Sequence, residues 1–416
     1  MADFYKLNGQ IKHYEWGSKD FIPRFLGLEN REGQPWAELW MGTHPGAPSV
    51  VEVNGSAVNL ADFIAESTGY CLGEGARQFG ELPFLFKLLA AGKPLSIQAH
   101  PNQRQAREGF ERENRAGLAL DDPGRNYKDP NHKPEIICAL VPLTLMAGFR
   151  EPAEIFSLLE AFLAAAPSSL REAFAPLLAA LEQGGSLQKF FGALFDLSVS
   201  QREELSRYIL EAGPSATGAG KTAPSPDQWK HMLCFAGLYP ADPAVIAPLY
   251  LNLLVLEPGQ AIFVRAGILH AYIDGFGVEL MANSDNVLRG GLTPKHIDIP
   301  QLMNVLDFSP FMPQVLKAPP FSSDSSGAFC YPAPCEEFSL SVMRGRNDEK
   351  AFPIEGPAVC IVTGGELRIT GGEAAGTGGA VIKKGEAFFV PAGGNDTCPL
   401  VFCGDYQLYA AGPGTP

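Results

Sequence analysis

The spacing of apolar residues changes twice along this chain of 416 residues. Up to about residue 148 they come in short runs divided by Gly, Pro and Asn, a pattern typical of strands with few helices. From 152 to about 212 they recur at three- and four-residue spacing with few β-branched residues, which predicts helices. Short runs return after Pro248. The sequence therefore predicts a mainly β protein with a helical insert.

The chain is longer than a usual single hydrophobic core, which holds about 250 to 300 residues, so several units are expected. We place a helical domain at 149–245, containing a mobile Gly/Pro/Ser-rich loop at 213–228. Residues 1–148 and 246–315 would together form one β unit, and 316–416 a second.

A weak internal repeat links the two β units. GQAIFVRAGILH at 259–270 aligns without a gap to GEAFFVPAGGND at 385–396. Both copies are typical of a turn, a strand and a second turn. The first copy ends in His270 and the second in Asp396, so we expect a shared fold with a functional site in the first unit only.

Composition narrows the class of protein. A net charge of −14 opposes nonspecific binding to nucleic acid, because no basic excess is present to displace counterions from phosphates. No uninterrupted apolar run of about 18 residues indicates a membrane span. The segment 1–20 has neither a basic nor an apolar export region, so we expect a cytoplasmic protein. We also expect it to act as a monomer. Eight cysteines without a C-x-x-C pair suit reduced thiols.

The stretch PLSIQAHPN at 94–102 places Gln98 and His100 two residues apart. In an extended strand both side chains point to one face, and Pro101 would end the strand. The stretch alone leaves two interpretations open: a metal or substrate site, or the polar face of a half-buried strand.

Two motifs are similar to those of cupins, the double-stranded β-helix or jelly-roll proteins. GKPLSIQAH at 92–100 resembles their first motif, G-x5-H-x-H, with Gln98 in place of the first histidine. The stretch 259–270 resembles their second motif, with Arg265 where a proline is usual and His270 at the end. The resemblance implies cupin units combined with an α-helical domain.

Longer strings resemble one cupin family, the type I mannose-6-phosphate isomerases, also called phosphomannose isomerases. The resemblance covers most of residues 1 to 300 in order, and the final third is less distinctive. The strings are HYEWGS at 13–18, AELWMGTHPGAPS at 37–49, PLSIQAHPN at 94–102, NHKPEIICAL at 131–140 and HAYIDGFGVELMANSDNVLRGGLTPKHID at 270–298.

The resemblance implies one zinc ion held by Gln98, His100, Glu135 and His270. Imidazole and carboxylate are good zinc ligands, which agrees with this set. A neutral amide is an unusual ligand, and it leaves the ion with a net positive charge that can polarise a hydroxyl or carbonyl of the substrate.

The resemblance also implies the interconversion of mannose 6-phosphate and fructose 6-phosphate through an enediol. Arg289 would supply positive charge beside the developing oxyanion. Two candidates for the base remain open. Glu279 lies nine residues after His270, on what we expect to be a neighbouring strand, and Lys133 faces the side of Glu135 if that segment is extended. Each could equally be structural, Glu279 as a satisfied carboxylate and Lys133 as a surface cation.

For the phosphate group of the sugar, the resemblance indicates Lys87, Ser96 and Lys295, with Arg289 shared. Ser96 alternates onto the face of Gln98, so one strand could address both ends of the substrate. A rival interpretation makes Lys87 a snorkelling helix residue.

Two other functions fit parts of the pattern. Two histidines and a carboxylate also suit the ferrous ion of a cupin oxygenase, although Gln98 and the phosphate-binding candidates oppose this. A noncatalytic sugar-phosphate-binding cupin would bind ligand without turnover. His44, His132 and His296 lie in family-like strings but receive no ligand role.

Overall fold

A computed structural model describes residues 4–182, 184–213, 223–319, 327–346, 350–351, 357–370, 380–395 and 400–414. Its strands are β1 Tyr5–Asn8, β2 Gln10–Lys12, β3 Glu38–Gly42, β4 Val50–Val53, β5 Ser56–Asn59, β6 Phe84–Ala91, β7 Ile97–Ala99, β8 Glu135–Ala139, β9 Leu143–Phe149, β10 Leu251–Leu256, β11 Gln260–Val264, β12 His270–Ala282, β13 Leu288–Gly291, β14 Leu316–Lys317, β15 Ala328–Tyr331, β16 Ser339–Gly345, β17 Lys350–Ala351, β18 Ala358–Thr370, β19 Ala380–Lys383, β20 Ala387–Val390, β21 Val401–Cys403 and β22 Tyr406–Gly412.

The α-helices lie mostly between β9 and β10. They are α1 Phe21–Leu26, α2 Leu60–Glu66, α3 Thr68–Arg77, α4 Gln103–Arg115, α5 Pro152–Leu163, α6 Ser168–Leu181, α7 Leu187–Asp196, α8 Val199–Ala212, α9 Pro226–Leu238, α10 Ala247–Tyr250 and α11 Ile299–Val305.

The first sheet is built around β12, which is long enough to pair with two sets of strands. Its C-terminal half pairs with β6 and β8, and its N-terminal half pairs with β7 and β9. The remaining strands continue from these in the order β14-β11-β8-β12-β6-β3-β2, with β10 beside β9 and β13 beside β7. All the pairs are antiparallel, and the two halves enclose a small apolar core that includes Ile137, Leu145 and Tyr272. The arrangement is a jelly roll, as expected of a cupin.

The second sheet is also antiparallel, and it includes strands from both ends of the chain. Its order is β15-β16-β22-β18-β20-β1-β4-β5. Tyr5 of β1 pairs with Phe389 of β20, and Leu7 of β1 pairs with Val51 of β4. Strands from the first sixty residues therefore complete the sheet formed by the C-terminal third. The division of the chain at residues 148, 245 and 315 stays a prediction.

The helices α5 to α9 confirm the predicted helical insert. Three of them begin at serine caps, because the side chains of Ser186, Ser198 and Ser225 accept hydrogen bonds from main-chain amides in the first turn. The apolar faces of these helices share one core with the outer side of β7 and β9, through residues such as Ile97 and Met146. The insert thus braces the strand that carries Gln98.

Part of the predicted loop at 213–228 lies outside the described residues, namely 214–222. Of the remainder, Ser225 caps α9 and the helix begins at Pro226. The last three residues of the expected loop are therefore helical.

The two copies of the internal repeat occupy matching places in the two sheets. Gly259 and Gly385 both adopt positive φ, 83° and 91°; Gly259 immediately precedes β11 and Gly385 lies two residues before β20. Only glycine adopts this conformation at little cost, which explains the glycine that opens each copy. The predicted turn and strand are thus confirmed in both units, and Asp396 lies outside the described residues.

The two sheets pack face to face over a shared core. It contains Leu88 and Val278 from the first sheet and Val359, Ile361 and Tyr409 from the second. Because the sheets bury these apolar faces against each other, neither is a free-standing layer. No helix in the described part of the chain is both long and apolar enough to cross a membrane.

Candidate active site

Strand pairing brings the metal candidates together. In the first sheet Gln98 on β7 lies opposite His270 on β12, and on its other side it lies opposite Arg289 on β13. Glu135 begins β8, and its partner across the sheet is Met281 near the end of β12. One long strand therefore organises residues that are more than a hundred positions apart in sequence.

Three buried side chains converge on one point. The candidate ligand atoms of His100, Glu135 and His270 lie within 4.8 Å of one another. His100 Nε2 is 3.3 Å from Glu135 Oε1, and His270 Nε2 is 3.1 Å from Glu135 Oε2. The amide of Gln98 lies 3.5 Å from His270 Nε2. Across the described residues, His100 Nε2 and Glu135 Oε2 have no hydrogen-bond partner of good geometry.

These residues fit a zinc ion. Burial lowers the pKa of His100 to about 4, so its imidazole is neutral near pH 7 and offers a lone pair. Burial opposes the charge of Glu135, but His100 and Lys133 outweigh it and hold the pKa of this carboxyl well below its ordinary value. Two imidazoles, one carboxylate and one amide form a catalytic type of zinc site.

Main-chain carbonyls set the orientation of both imidazoles. His100 Nδ1 donates to the carbonyl oxygen of Asn286 at 2.7 Å, and His270 Nδ1 donates to that of Ile268 at 3.0 Å. With Nδ1 protonated in each ring, the Nε2 lone pairs point into the cluster. Such outer hydrogen bonds fix the tautomer that a metal requires.

The cluster lies at one side of a cavity of about 810 Å³. This volume is within the usual range for small-molecule sites. The residues around the cavity include every predicted site residue except His100 and His270, which lie behind its wall. The polar and aromatic residues that line it include Glu38, Trp40, Lys87, Ser96, Gln98, Lys128, Lys133, Glu135, Tyr272, Glu279, Arg289 and Lys295.

Lys133 lies beside the metal cluster. Its ammonium nitrogen is 3.3 Å from Glu135 Oε1, so the two side chains share a side as the extended reading of this segment predicts. Both are buried.

Glu279 lies on β12, the same strand as His270, so the expectation of a neighbouring strand was wrong. In a regular strand an odd separation of nine residues would put the two side chains on opposite faces. The register of β12 shifts between Tyr272 and Asp274, and Gly275 follows with φ of 126°. This irregularity adds one residue to the strand and turns Glu279 into the cavity.

Lys87 is held by two carboxylates. Its ammonium lies 2.8 Å from Glu279 and 3.5 Å from Glu38, and all three side chains are buried. Trp40 donates an indole hydrogen bond to Glu38 at 2.6 Å. Burial alone would lower the pKa of Lys87, but the two carboxylates raise it above its ordinary value. For Glu279, burial raises the pKa and Lys87 offsets only part of the increase.

A group of cations also lines the cavity. The pKa of Arg289 is lowered by burial. The pKa of Lys295 is lowered by burial, by Arg289 and by Lys128, which places these three positive charges close together. Ser96 immediately precedes β7, two residues before Gln98, and it also lines the cavity. Within the described residues these three cations form no ion pair, and a cation cluster that lines a cavity together with a hydroxyl is a suitable cradle for an anion.

The sequence analysis missed several residues of the cavity. Glu38 and Trp40 alternate along β3 in the string AELWMG, and this alternation was the available signal. Lys128 precedes the string NHKPEIICAL by three residues and gave no signal of its own. Tyr272 lies two residues after His270 on β12, and its hydroxyl is buried without a hydrogen-bond partner in the described part of the structure.

The fold and the site define a cupin with a histidine- and carboxylate-rich metal centre. Residues 4–152 match the catalytic domain of type I phosphomannose isomerase. The chain is 38% identical to the mannose-6-phosphate isomerase of Salmonella typhimurium over 97% of this chain and 98% of the relative, and 39% identical to that of Escherichia coli over 93% and 94%. This chain belongs to the type I phosphomannose isomerase family.

A solved structure agrees with the metal assignment. The zinc-bound crystal structure of a mannose 6-phosphate isomerase superposes with a TM-score of 0.86 at 35% identity, covering all of both chains. The expected zinc cofactor is thus confirmed by that relative together with the cluster of His100, Glu135 and His270. A zinc-bound relative also disfavours the alternative of an iron-dependent oxygenase.

Proposed function

We propose that this protein is a zinc-dependent aldose–ketose isomerase that interconverts mannose 6-phosphate and fructose 6-phosphate. One observation carries the proposal. The metal cluster, through Gln98 and Glu135, and a cation group at Arg289 and Lys295 line one cavity. A hexose phosphate needs both features, one at its carbonyl end and one at its phosphate end.

The phosphate binds at Arg289, Lys295 and Ser96, with Lys128 as a further cation. This proposal leaves Lys87 out of the phosphate cradle. Its charge is already balanced by Glu279 and Glu38, and the carboxylates that surround it would repel a phosphate. The guanidinium of Arg289 offers the paired donors that suit phosphate oxygens.

Gln98, His100, Glu135 and His270 hold the zinc ion. Bound there, zinc supplies a Lewis acid that stabilises negative charge on the oxygens of C1 and C2. The neutral side chain of Gln98 leaves only one anionic protein ligand, which preserves the positive charge of the site.

Glu279 is the base in this proposal. As an ionised carboxylate it removes the proton from C2 of the open-chain aldose. The electron pair of that C–H bond forms the C1–C2 double bond, and the π pair of the C1 carbonyl moves onto O1. Transfer of the O2 proton to O1 through the enediol, and return of the first proton to C1, re-forms a carbonyl at C2 and gives the ketose. Its raised pKa makes Glu279 a stronger base than an exposed glutamate. Lys133, whose ammonium lies 3.3 Å from Glu135, instead donates a hydrogen bond to the developing oxyanion.

The test is a coupled assay of the purified protein with mannose 6-phosphate, with its zinc content measured on the same sample. We expect turnover that stops with a chelator, returns with zinc and is absent from the His270→Ala variant. A folded protein with one zinc per chain and no turnover would contradict the proposal and leave a noncatalytic sugar-phosphate-binding cupin.

The setting of this activity is also proposed. A cytoplasmic monomer that binds neither nucleic acid nor membranes agrees with the net charge of −14 and with a small-molecule substrate. We likewise propose the helical domain at 149–245, flanked by the two parts of the catalytic cupin and followed by the C-terminal unit. Sedimentation of the purified protein tests the oligomeric state.

A further inference from the structure

A side chain of the C-terminal unit contacts the segment that carries Lys133. Glu337 precedes β16, and its Oε1 accepts a hydrogen bond from Nε2 of His132 at 2.6 Å. Both side chains are partly buried, with 19% and 27% of their surfaces exposed. His132 is the residue immediately before Lys133, so this contact joins the second sheet to the segment that carries the proposed oxyanion donor.

Glu337 is itself firmly placed. The next residue, Phe338, is fully buried in the core between the sheets, and its ring lies 6.4 Å from that of Phe263 on β11. Phe263 is adjacent to Val264, which pairs with Glu135 at the start of β8. Glu337 therefore projects from a point that is fixed relative to the metal ligand, rather than from a loose surface loop.

The segment around Lys133 is fixed on either side but has little support at its centre. Asn131 O accepts hydrogen bonds from Asn286 at 2.9 Å and from Ser284 at 3.1 Å. Beyond Lys133, Pro134 O accepts from Ala282 N at 3.2 Å.

Between these two points the amide of His132 makes a long contact of 3.4 Å with Gln103. The hydrogen bond from the His132 side chain to Glu337, at 2.6 Å, is shorter than this contact. Burial opposes ionisation of Glu337, but the hydrogen bond and charge of His132 outweigh it and lower the pKa of this carboxyl. The carboxylate is thus charged and ready to accept near pH 7.

We propose that Glu337 is a positioning residue for the isomerase reaction, acting through His132 to hold the ammonium group of Lys133 beside the substrate oxygens. The inference rests on the proposed function. It assigns the C-terminal unit a part in catalysis, although the residues that line the cavity all come from earlier in the chain.

The experiment compares Glu337→Ala with Glu336→Ala in the coupled assay. Glu336 is an exposed neighbouring carboxylate, so the control makes the same chemical change one residue away. We expect Glu337→Ala to lower kcat about fivefold, the usual effect of one hydrogen bond, with KM and zinc content unchanged. We expect Glu336→Ala to match the unmodified protein.

Two conservative variants separate positioning from general stability. Glu337→Gln keeps an oxygen that accepts from His132, and kcat should remain within about twofold of the unmodified protein. Glu337→Asp keeps the charge but shortens the side chain, and kcat should fall as in the alanine variant. These two variants carry the test if Glu337→Ala fails to fold.

A double variant provides the last readout. If Glu337 acts through His132, the pair His132→Ala and Glu337→Ala should lose no more activity than the greater of the two single losses. Three results would overturn the inference. They are a loss of activity in the double variant equal to the product of the two single losses, an unchanged kcat in Glu337→Ala, and a loss of zinc from Glu337→Ala. Absence of turnover in the unmodified protein would instead reject the proposed function.

Discussion

The Nδ1 atom of His100 lies 2.7 Å from the main-chain carbonyl oxygen of Asn286. Both polar atoms of the Asn286 side chain also make hydrogen bonds. Its oxygen accepts from the amide of Lys128 at 2.7 Å, and its nitrogen donates to Asp129 and Asn131. A single buried asparagine thus connects a metal ligand with the segment that carries Lys128 and Lys133.

We therefore expect Asn286→Asp to weaken zinc binding. The carboxylate cannot donate to the carbonyl oxygens of Asp129 and Asn131, so the loop moves and with it the carbonyl that orients His100. Loss of such outer hydrogen bonds raises the metal dissociation constant about 10- to 100-fold. Competition with a chromophoric chelator measures it, and circular dichroism shows that the variant is folded. An unchanged constant in a folded variant would contradict this role.

The identity of the base can be tested with Glu279→Gln. The amide cannot accept the C2 proton, so kcat should fall about 10²- to 10⁴-fold. Glu38→Gln is the matched control, because Glu38 is also buried and also pairs with Lys87. We expect it to lose much less activity. Equal losses in the two variants would show that the charge around Lys87, rather than proton removal, limits the rate.

The same carboxylate predicts the pH dependence of the reaction. Burial raises the pKa of Glu279, and Lys87 offsets only part of this increase. Because the base must be ionised, kcat/KM should fall as the pH is lowered through an apparent pKa above that of an ordinary glutamate. A profile measured with saturating zinc tests this. A flat acid side down to the ordinary glutamate pKa would exclude Glu279 as the base.

Arg289→Ala should weaken binding of the substrate through its phosphate. Loss of a charged hydrogen bond costs about 1.5 to 3 kcal/mol, so KM for mannose 6-phosphate should rise about 10- to 100-fold. Inhibition by inorganic phosphate should weaken in parallel. Arg265→Ala is the control, because Arg265 pairs with Asp307 and is absent from the residues that line the cavity. Equal KM values in the two variants would remove Arg289 from the phosphate cradle.

Lys87→Met should destabilise the fold, because it leaves the Glu38 and Glu279 carboxylates buried without their shared cation. Breaking a buried ion pair in this way costs about 3 to 5 kcal/mol. Lys12→Met is the control, since the ammonium of Lys12 also lies over the ring of Trp40 but its side chain is less buried. We expect a cost below about 1 kcal/mol there. Urea unfolding measures both.

The sign of the pH effect on this stability follows from the pKa of Lys87. Burial lowers this pKa, but the carboxylates raise it further, above its ordinary value. The stabilisation is therefore complete below the pKa of the unfolded chain and is lost only as the pH rises through the higher folded value. Lys87→Met also removes the cation that offsets the raised pKa of Glu279, so the variant should lose stability as the pH rises from about 6 to 9 and the difference between the two proteins should widen. A difference that shrinks as the pH rises across this range would contradict the assignment.

Alternation along a strand was sufficient to predict some parts of the site. It placed Gln98 beside His100, and Lys133 beside Glu135, because these pairs are two residues apart and local geometry decides their faces. It failed for Glu279, because the register shift in β12 depends on how that strand bends between two half-sheets. No local pattern in the sequence predicts such a register shift.

The ion pairs that balance the charge of Lys87 could not be predicted from the sequence either. Lys87 was expected to hold phosphate, and whether it does depends on the carboxylates around it. Glu38 and Glu279 come from two other strands, and Glu279 is 192 residues away along the chain. Only tertiary pairing of β3, β6 and β12 brings them together.

Strand β1 makes the order of synthesis matter for this protein. One edge of β1 pairs with β4, because Leu7 lies opposite Val51, and both strands are made close together in time. The other edge pairs with β20, where Phe389 lies opposite Tyr5. At about 5 to 20 residues per second, that second edge stays open for tens of seconds during translation, a period in which an unpaired strand edge can associate with other chains.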